Sequence, residues 1–296
     1  MKLALFDDLR LGVVIEDGIK NGIVDVTSVL PRHDRDPVTA GWWRGLCRDF
    51  LTLRPELEAA AKAGAPVPVA EARLRAPALN PSKIIACASN YAEHVAEMHG
   101  VQQRTLGRVE DWMMSFDVFL KAPSALSGPG EDIVLPREVV AAGQEIHHES
   151  ELVVVIGTGG RDIAEADALD HVLGYTIGLD ITVRAAADRS RRKSYDTFAP
   201  VGPWVTTADE AGDPAGLEIE LLRQTSDGAS ERRQHVHTRD MITPVPAIVS
   251  YASRMMTLLP GDLIFTGAPP GVGPIAAGDV LHTRISRLGS MTLGVR

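Results

Sequence analysis

The sequence contains little cysteine and lacks several diagnostic patterns. Its 296 residues include two cysteines, Cys47 and Cys87, which lie far apart and fit none of the spacings of zinc, haem or redox sites. They give no disulfide framework, and a reducing, cytoplasmic compartment is the simplest expectation. There is also no internal repeat and no GxGxxG or Walker-type phosphate loop.

Long apolar runs are missing as well. No stretch approaches the roughly 18 apolar residues that a membrane helix needs. Asp7 and Asp8 interrupt the N-terminal segment where a signal peptide would remain apolar. We therefore expect a protein that neither enters a membrane nor is exported.

Basic residues are outnumbered, with 30 Lys and Arg against 39 Asp and Glu and a formal charge of −9. This charge argues against a nucleic-acid partner, because phosphate binding depends on clustered Lys and Arg. It also disfavours a small anionic substrate unless a cation or local basic residues reverse the field. The remaining composition, 45% hydrophobic and 23% charged, is that of a globular protein.

Local patterns predict a small β-rich N-terminal domain before a larger one. Asp17 and Gly18 are predicted to form a turn, and a helix is predicted over residues 53–63 with Pro55 in its first turn. A linker rich in Pro and Ala places the boundary near residue 75. Residues 1–75 are then the small domain with its linker, and residues 76–296 the main domain. The predicted N-terminal strands cover residues 2–6, 12–16 and 23–26.

The main domain reads as mostly strand, with few helices. Its strands do not alternate regularly with helices, which argues against a doubly wound α/β fold. The predicted strands cover residues 151–157, 174–181, 217–222 and 263–266, and the predicted helices residues 164–173 and 244–256.

Glu149 and Glu151 stand two residues apart at the start of an apolar run. Alternate residues of a strand face the same side, so both carboxylates and His147 are expected to point into one site. A solvated strand end would explain such a pair by itself. Asp180, the only acid of the segment GYTIGLDI, would add a third carboxylate and complete an oxygen site for Mg²⁺ or Mn²⁺. A transition-metal site that includes His147 is the second alternative.

His94 and Glu97 are three residues apart and share one face of a helix. A carboxylate that fixes the tautomer of a histidine and raises its basicity makes a general base. A surface ion pair is the competing interpretation. The following residues, 98–118, show few structural cues and are expected to form a mobile lid over the site.

A basic run and a glycine-rich segment complete the candidate residues. Arg191, Arg192 and Lys193 follow Asp180 and would give an anionic substrate its counter-charges, although a solvated turn is the default interpretation. The segment LLPGDLIFTGAPPGVG contains three glycines, which permit close backbone approach or simply tight turns. They are Gly267, Gly271 and Gly273.

In this order, these segments resemble the fumarylacetoacetate hydrolase family over residues 74–296. The motifs are NYxxH, ExE, GYTIGLDITVR, KSYDTFAPVGPW, an Arg-Gln pair and TLLPGDLIFTGAPPGVG. The resemblance implies an α+β fold, a mixed β-sandwich roll with a small N-terminal domain. It also implies a homodimer with a Mg²⁺ site, for which Mn²⁺ and Ca²⁺ are alternatives.

The resemblance also implies roles for individual residues. Glu149, Glu151 and Asp180 would bind the metal, while His94, Glu97 and Lys193 would be catalytic. With the basic run included, the expected substrate-binding residues are Tyr91, Arg184, Arg191, Arg192, Gln234 and Gly267.

The sequence departs from the family pattern around the substrate. Ala185 and Ala187 stand where the family has Asp and Gln, and Ala268 replaces the last Thr of a TGT turn. The Asn-Gly before the Arg-Gln pair is Asp227-Gly228. Because the metal ligands are kept and these residues are not, fumarylacetoacetate itself is not the expected substrate.

The expected chemistry is metal-dependent cleavage of a carbon–carbon bond beside a small anionic 2-oxo acid, as in acylpyruvate hydrolysis. The metal would stabilise the leaving pyruvate enolate, Lys193 would add positive charge, and His94 with Glu97 would activate water. Decarboxylation or isomerisation of a 2-oxo or 2-hydroxy-diene dioate from aromatic catabolism is the alternative on the same site. A non-catalytic metal-binding regulatory protein is the alternative from another class.

Overall fold

The fold is that of a computed structural model, which describes residues 1–16, 21–36, 41–109 and 114–296. Within those ranges the helices are α1 (Gly41–Ala63), α2 (Ala92–Leu106), α3 (Arg137–Ala141), α4 (Arg189–Lys193), α5 (Ala208–Ala211) and α6 (Val245–Met255). None of these helices combines the length and the hydropathy needed to cross a bilayer.

A large mixed sheet contains most of the strands. In spatial order they are β4 (Val67–Pro68), β3 (Asn21–Asp25), β2 (Arg10–Glu16), β1 (Lys2–Phe6), β13 (Ala199–Thr207), β11 (Val172–Leu179), β10 (Ser150–Ile156), β16 (Leu263–Phe265), β6 (Ile84–Ala88) and β7 (Asp117–Lys121). Two short strands, β5 (Leu74–Arg75) and β8 (Leu126–Ser127), pair with β1 and β13. The β16–β6 and β13–β8 pairs are parallel, whereas the other pairs are antiparallel.

Two smaller sheets lie beside the large one. The first contains β12 (Thr182–Val183), β9 (Ile146–His148) and β17 (Gly273–Pro274), in that order. The second contains β15 (Ser230–His237), β14 (Glu218–Gln224), β18 (Val280–Ile285) and β19 (Gly289–Gly294). The expected α+β class with mixed sheets is confirmed.

The N-terminal strands are continuous with the large sheet. Lys2 and Leu3 of β1 pair with Thr206 and Val205 of β13, about two hundred residues later in the chain. The first 75 residues therefore extend the sheet that carries the central strands. The domain division at residue 75 stays a prediction.

The core of the large sheet is formed by β10, β11 and β13, in which every residue is buried. Strands covered on both faces read as continuous apolar runs instead of alternating ones. Val153, Val154 and Val155 of β10 are an example, and each is fully buried. These buried strands fix the position of the side chains at their ends.

Two helix predictions differ from the structure. Helix α1 begins at Gly41, so Pro55 lies in its interior and not in its first turn. The carbonyl that Pro55 leaves without an N–H donor belongs to Leu51, which is 81% exposed and open to solvent. Residues 164–173 do not form one helix: a 3₁₀ helix over Glu165–His171 leads directly into β11.

The predicted lid over residues 98–118 is mostly regular structure where it is described. Residues 98–106 continue α2, and residues 117–118 begin β7. Residues 110–113, like the predicted turn at Asp17 and Gly18, lie outside the described residues. The segment expected to be irregular is therefore largely the second half of a helix.

Candidate metal centre and substrate cavity

Three carboxylates meet where β10 begins and β11 ends. Glu149 lies between β9 and β10, Glu151 is the second residue of β10, and Asp180 follows β11. The β10–β11 pairing places Ser150 opposite Leu179, and the Asp180 N–H donates to the Glu149 carbonyl at 2.8 Å. One oxygen from each carboxylate lies within 4.8 Å of the others, and no residue of the three is more than 3% exposed. The strand ends thus form a compact, buried acid cluster.

Lys193 and Arg184 neutralise part of this cluster. Nζ of Lys193 donates to Oε2 of Glu149 at 2.7 Å and to Oδ2 of Asp180 at 2.5 Å. Arg184 forms an ion pair with the other oxygen of Glu149. Burial raises the pKa of Glu149, but the charges of Lys193 and Arg184 outweigh burial and hold that pKa well below its ordinary value. Glu149 is therefore ionised at neutral pH.

Glu151 is the least compensated of the three carboxylates. Its Oε2 accepts the N–H of Gly267 at 2.7 Å, whereas its Oε1 is buried without a hydrogen-bond partner. Burial raises the pKa of Glu151 well above its ordinary value, and the charges of Asp180 and Glu149 raise it further. An unpaired carboxylate oxygen beside two more carboxylates suits a hard divalent cation. The side chains present therefore fit a metal ion held by Glu149, Glu151 and Asp180.

A third cation at the cluster, Lys121, was missed by sequence reasoning. It forms an ion pair with Oδ1 of Asp180, and its Nζ donates to the Phe198 carbonyl at 2.9 Å. Burial lowers the pKa of Lys121, and the charge of Asp180 opposes that effect. Lys121 is the only charged residue in the segment VFLKAPSAL. A lone charge in an apolar strand was the signal that singled out Asp180, and it would have found Lys121 too.

His94 and Glu97 lie one turn apart on α2, as their spacing predicts. Nδ1 of His94 is 3.2 Å from Oε2 of Glu97, and the same oxygen accepts the N–H of Gly271 at 3.2 Å. The Glu97 carboxylate is therefore held from both sides and fixes one nitrogen of the imidazole. The other nitrogen, Nε2, is left to exchange a proton with a water or a substrate.

A cavity of about 60 Å³ joins the acid cluster to the histidine. Glu149 and His94 both line it, and α2 contributes Met98, Val101 and Gln102. Among the described residues of its lining, Glu149 is the only carboxylate, and it faces four cationic side chains. These are Arg184, Arg189, Arg192 and Lys193. The local field thus favours an anion despite the acidic net charge of the chain.

A family model described as "Fumarylacetoacetate (FAA) hydrolase C-terminal" matches residues 83–296. The chain belongs to the fumarylacetoacetate hydrolase family. A curated relative, maleylpyruvate hydrolase from Aquipseudomonas alcaligenes, is 35% identical over all of this chain and 99% of that protein. The family resemblance drawn from the motifs is confirmed.

Solved structures of the family extend over the whole chain. Maleylpyruvate hydrolase from Sphingobium sp. SYK-6, crystallised with manganese(II) and pyruvate, is 41% identical with a TM-score of 0.84 and covers 100% of this chain and 98% of that one. A 2-hydroxyhepta-2,4-diene-1,7-dioate isomerase from Mycobacterium marinum is 31% identical with a TM-score of 0.71 and covers 100% and 98%. The family therefore includes both hydrolases and isomerases with this fold.

Three other residues expected at the substrate lie around the metal centre, and none of them lines the cavity. Tyr91 precedes α2 and is buried, and its hydroxyl has no hydrogen-bond partner. Gln234 accepts the N–H of Ser150 at 2.9 Å and donates to the Pro269 carbonyl at 3.1 Å, so it ties β10 to the glycine-rich turn. Gly267 holds Glu151 through its N–H and has a φ of +101°. Their roles in substrate binding stay predictions.

The expectation that His147 points into the acid cluster is wrong. The chain leaves one sheet and enters another at Glu149, so the alternation of a single strand does not extend across it. Nε2 of His147 lies 2.8 Å from Oε2 of Glu145 instead. Burial lowers the pKa of His147 to about 4, with the charge of Arg184 adding to the effect.

The substituted alanines differ in their positions relative to the cavity. Ala185 and Ala268 line it, whereas Ala187 does not. Arg191, expected at the substrate, is exposed and lines a separate surface depression with Lys83. The cavity is thus bounded by small side chains at two positions where the family carries polar ones.

Proposed function

We propose that the protein is a metal-dependent hydrolase that cleaves the carbon–carbon bond beside a 2-oxo acid in acylpyruvate-type substrates. The products would be pyruvate and a carboxylic acid. The observation that carries this proposal is that Glu149, one carboxylate of a metal-type acid cluster, and His94, a histidine oriented by a carboxylate, line one cationic cavity. The family relation to maleylpyruvate hydrolases supports it.

Mg²⁺ is the proposed ion, with Mn²⁺ and Ca²⁺ as alternatives, because all three take oxygen ligands. Glu149, Glu151 and Asp180 would hold it. When bound, the ion supplies Lewis acidity toward the 2-oxo acid. The manganese in a related structure supports a divalent ion of this kind.

Lys193 and Arg184 would hold the anionic end of the substrate. Both side chains are buried, line the cavity and contact Glu149, so they place positive charge beside the acid cluster. Positive charge fixed there stabilises the negative charge that develops as pyruvate leaves. Lys121 forms an ion pair with Asp180 and would hold that carboxylate in position.

His94 would act as the general base toward water. Nε2 takes a proton from a water molecule, whose oxygen forms a bond to the distal carbonyl carbon of the substrate. The carbon–carbon bond then breaks, its electron pair stays with the pyruvate fragment, and the proton on His94 returns to that carbon. Glu97 keeps the imidazole in the tautomer this step needs.

The second candidate is isomerisation or decarboxylation of a related 2-oxo or 2-hydroxy-diene dioate. The similarity to a 2-hydroxyhepta-2,4-diene-1,7-dioate isomerase favours it. The same cationic cavity would bind the substrate, but the proton would move between carbons, or CO₂ would leave, with no attack by water. Only the hydrolase candidate requires His94 to activate water, so this requirement distinguishes the two candidates.

Assembly and compartment are proposed on the family resemblance and on cysteine usage. We infer a homodimer in a reducing cytoplasm. Cys47 and Cys87 are both free and buried, which is consistent with a reducing compartment. Light scattering during size-exclusion chromatography tests the dimer, and cell fractionation tests the compartment.

The test is a substrate panel with product analysis. Protein loaded with Mg²⁺ or Mn²⁺ is incubated with acylpyruvates, oxaloacetate and 2-hydroxy-diene dioates, while pyruvate, CO₂ and the enol absorbance are measured. We expect pyruvate and carboxylic acid in equal amounts from an acylpyruvate. Isomer or CO₂ as the main product, without hydrolysis, would replace this proposal by the second candidate.

A further inference from the structure

Helix α2 carries His94 and Glu97 but has no fully buried apolar side chain. Among its residues, all of which the structure describes, the buried ones are His94 and Gln102. Most helices are held in place by an apolar face packed against the core. Polar contacts at the two ends of α2 therefore decide its position to a greater degree than in such a helix.

The chain is fixed where it enters α2. Asn90, which is fully buried, donates from its side-chain amide to the Thr266 carbonyl at 2.7 Å and to the Thr243 carbonyl at 3.0 Å. Its amide oxygen accepts the N–H of Thr243 at 2.7 Å. With this end held, the direction of α2 depends on what holds its other end.

Arg104, in the last turn of α2, forms a two-pronged ion pair with Glu145. Nη1 of Arg104 contacts Oε1 of Glu145, and Nη2 donates to Oε2 at 2.9 Å. Two such parallel hydrogen bonds fix the orientation of a guanidinium as well as its distance. Ten residues of α-helix separate Arg104 from His94, which is about 15 Å. The pair therefore holds α2 far from the group that it would position.

Glu145 is itself tied to the metal end of the cavity. Its Oε2 lies 2.8 Å from Nε2 of the buried His147, and its backbone carbonyl accepts the N–H of Arg184 at 2.8 Å. Arg184 in turn forms an ion pair with Glu149. The hydrogen bonds from Arg104 and His147 lower the pKa of Glu145 to about 2, so the carboxylate is ionised at neutral pH.

This network gives weight to a contact that is partly exposed. The side chain of Arg104 is 56% exposed, and isolated ion pairs at the surface contribute little to stability. Two-pronged Arg–carboxylate pairs and pairs within a network are the exceptions. The Arg104–Glu145 pair meets both conditions.

We propose that Arg104 and Glu145 form a clasp that holds the C-terminal end of α2 and thereby positions His94 toward the metal centre. The assignment rests on the proposed function, in which His94 activates water. Neither Arg104 nor Glu145 is among the described residues that line the cavity, so both are positioning residues. A displacement of about 1 Å in a reacting group can lower a rate about a hundredfold.

Hydrogen exchange tests the clasp without requiring turnover. Amide exchange of residues 92–106 is followed by mass spectrometry in the wild type, Arg104→Gln and Glu145→Gln. Glutamine at position 145 keeps the backbone carbonyl that binds Arg184, so this variant removes the side-chain contact alone. We expect exchange in α2 to be at least about fivefold faster in both variants and unchanged in β10 and β11. Unchanged exchange in α2 would overturn the clasp.

Acylpyruvate hydrolysis tests the effect on His94. In each variant kcat should fall at least about tenfold, while KM changes less than about threefold because Lys193 and Arg184 keep their places. The variant with both substitutions should be no slower than the slower single variant, because each removes the same contact. A normal kcat, a change in KM alone, or losses that multiply in the double variant would overturn the assignment.

Arg48→Gln is the matched control. Arg48 is an exposed arginine of α1 that also donates two hydrogen bonds to one carboxylate, that of Asp49. Its substitution should change neither the exchange of α2 nor kcat, and the same changes as in Arg104→Gln would overturn the assignment. The rise in melting temperature with Mn²⁺ should persist in Arg104→Gln, and its loss would likewise count against a positioning role.

The two readouts separate this inference from the proposed function. If the wild type releases no pyruvate, the hydrolase proposal fails, and the exchange of α2 alone decides whether the clasp exists. If the wild type releases pyruvate and kcat is unchanged in Arg104→Gln and Glu145→Gln, the hydrolase proposal stands and the positioning role is refuted.

Discussion

Lys193 donates a hydrogen bond from Nζ to Oε2 of Glu149 at 2.7 Å. Arg184 contacts the other oxygen of that carboxylate, so one buried anion compensates two buried cations. Glu149 is thus a stability determinant of the folded protein as well as a candidate ligand. A substitution at Glu149 is therefore expected to affect the stability of the folded protein as well as metal binding.

Substitution Glu149→Gln should destabilise the metal-free protein. It leaves Arg184 buried without its ion-pair partner and Lys193 with Asp180 alone, and breaking a buried ion pair costs about 3–5 kcal/mol. Glu151→Gln is the matched comparison, because it removes a carboxylate that Asp180 and Glu149 repel, and it should keep or raise the melting temperature. Thermal unfolding in EDTA measures both. Equal melting temperatures for Glu149→Gln and the wild type would contradict this account.

Divalent metal should stabilise the wild type and not the ligand variants. A ligand that binds only the folded state adds about 2.7 kcal/mol at a hundred times its Kd. We expect Mn²⁺ or Mg²⁺ to raise the melting temperature, and EDTA to reverse the rise. Asp180→Asn and Glu151→Gln should lose this response, whereas Glu138→Gln, an exposed carboxylate on α3, should keep it. An undiminished response in Asp180→Asn would remove that residue from the metal site.

His94 should matter for hydrolysis more than for decarboxylation. A general base contributes about 10²–10⁴-fold, so His94→Ala should lower acylpyruvate hydrolysis by at least about a hundredfold. Oxaloacetate decarboxylation should fall less, because it needs no attacking water. The metal-induced rise in melting temperature should persist and show that the site is intact. Equal losses of both activities would exclude the water-activating role.

Gly271 should be essential for the position of Glu97. Its φ is +93°, and a Cβ at this position would lie 1.8 Å from the Arg233 carbonyl. Gly271→Ala should therefore displace the turn whose N–H holds Glu97, and hydrolysis should fall with it. Gly228→Ala is the control, because Gly228 has a φ of +89° but open space around it. Comparable hydrolysis rates in the two variants would show that the contact with Glu97 is dispensable.

Much of the acid cluster could be predicted from local pattern. Glu149 and Glu151 flank the start of an apolar strand, and Asp180 is the lone acid of another, so both strand ends carried a visible signal. The error at His147 has a physical origin, since the chain changes sheets at Glu149 and the two-residue period of a strand ends there. Lys121 was overlooked although its apolar surroundings resemble those of Asp180.

Long-range pairing was beyond the reach of local pattern. The strands predicted from the sequence lie near their expected bounds. Nothing in Lys2 or Leu3, however, indicates that they pair with Thr206 and Val205. The start of α1 at Gly41 was missed because Pro55 suggested a first turn, whereas a long helix with an exposed outer face accommodates it. Register and partner choice depend on tertiary packing, which short windows of sequence do not contain.

The most direct test is pyruvate release from an acylpyruvate during metal reconstitution. Protein stripped with EDTA is titrated with Mn²⁺ or Mg²⁺, and pyruvate is measured by a coupled assay. The account predicts no release without metal, full activity once each chain has bound one ion, and none at any metal concentration for Asp180→Asn. An unchanged rate of pyruvate release from metal-free protein would contradict it.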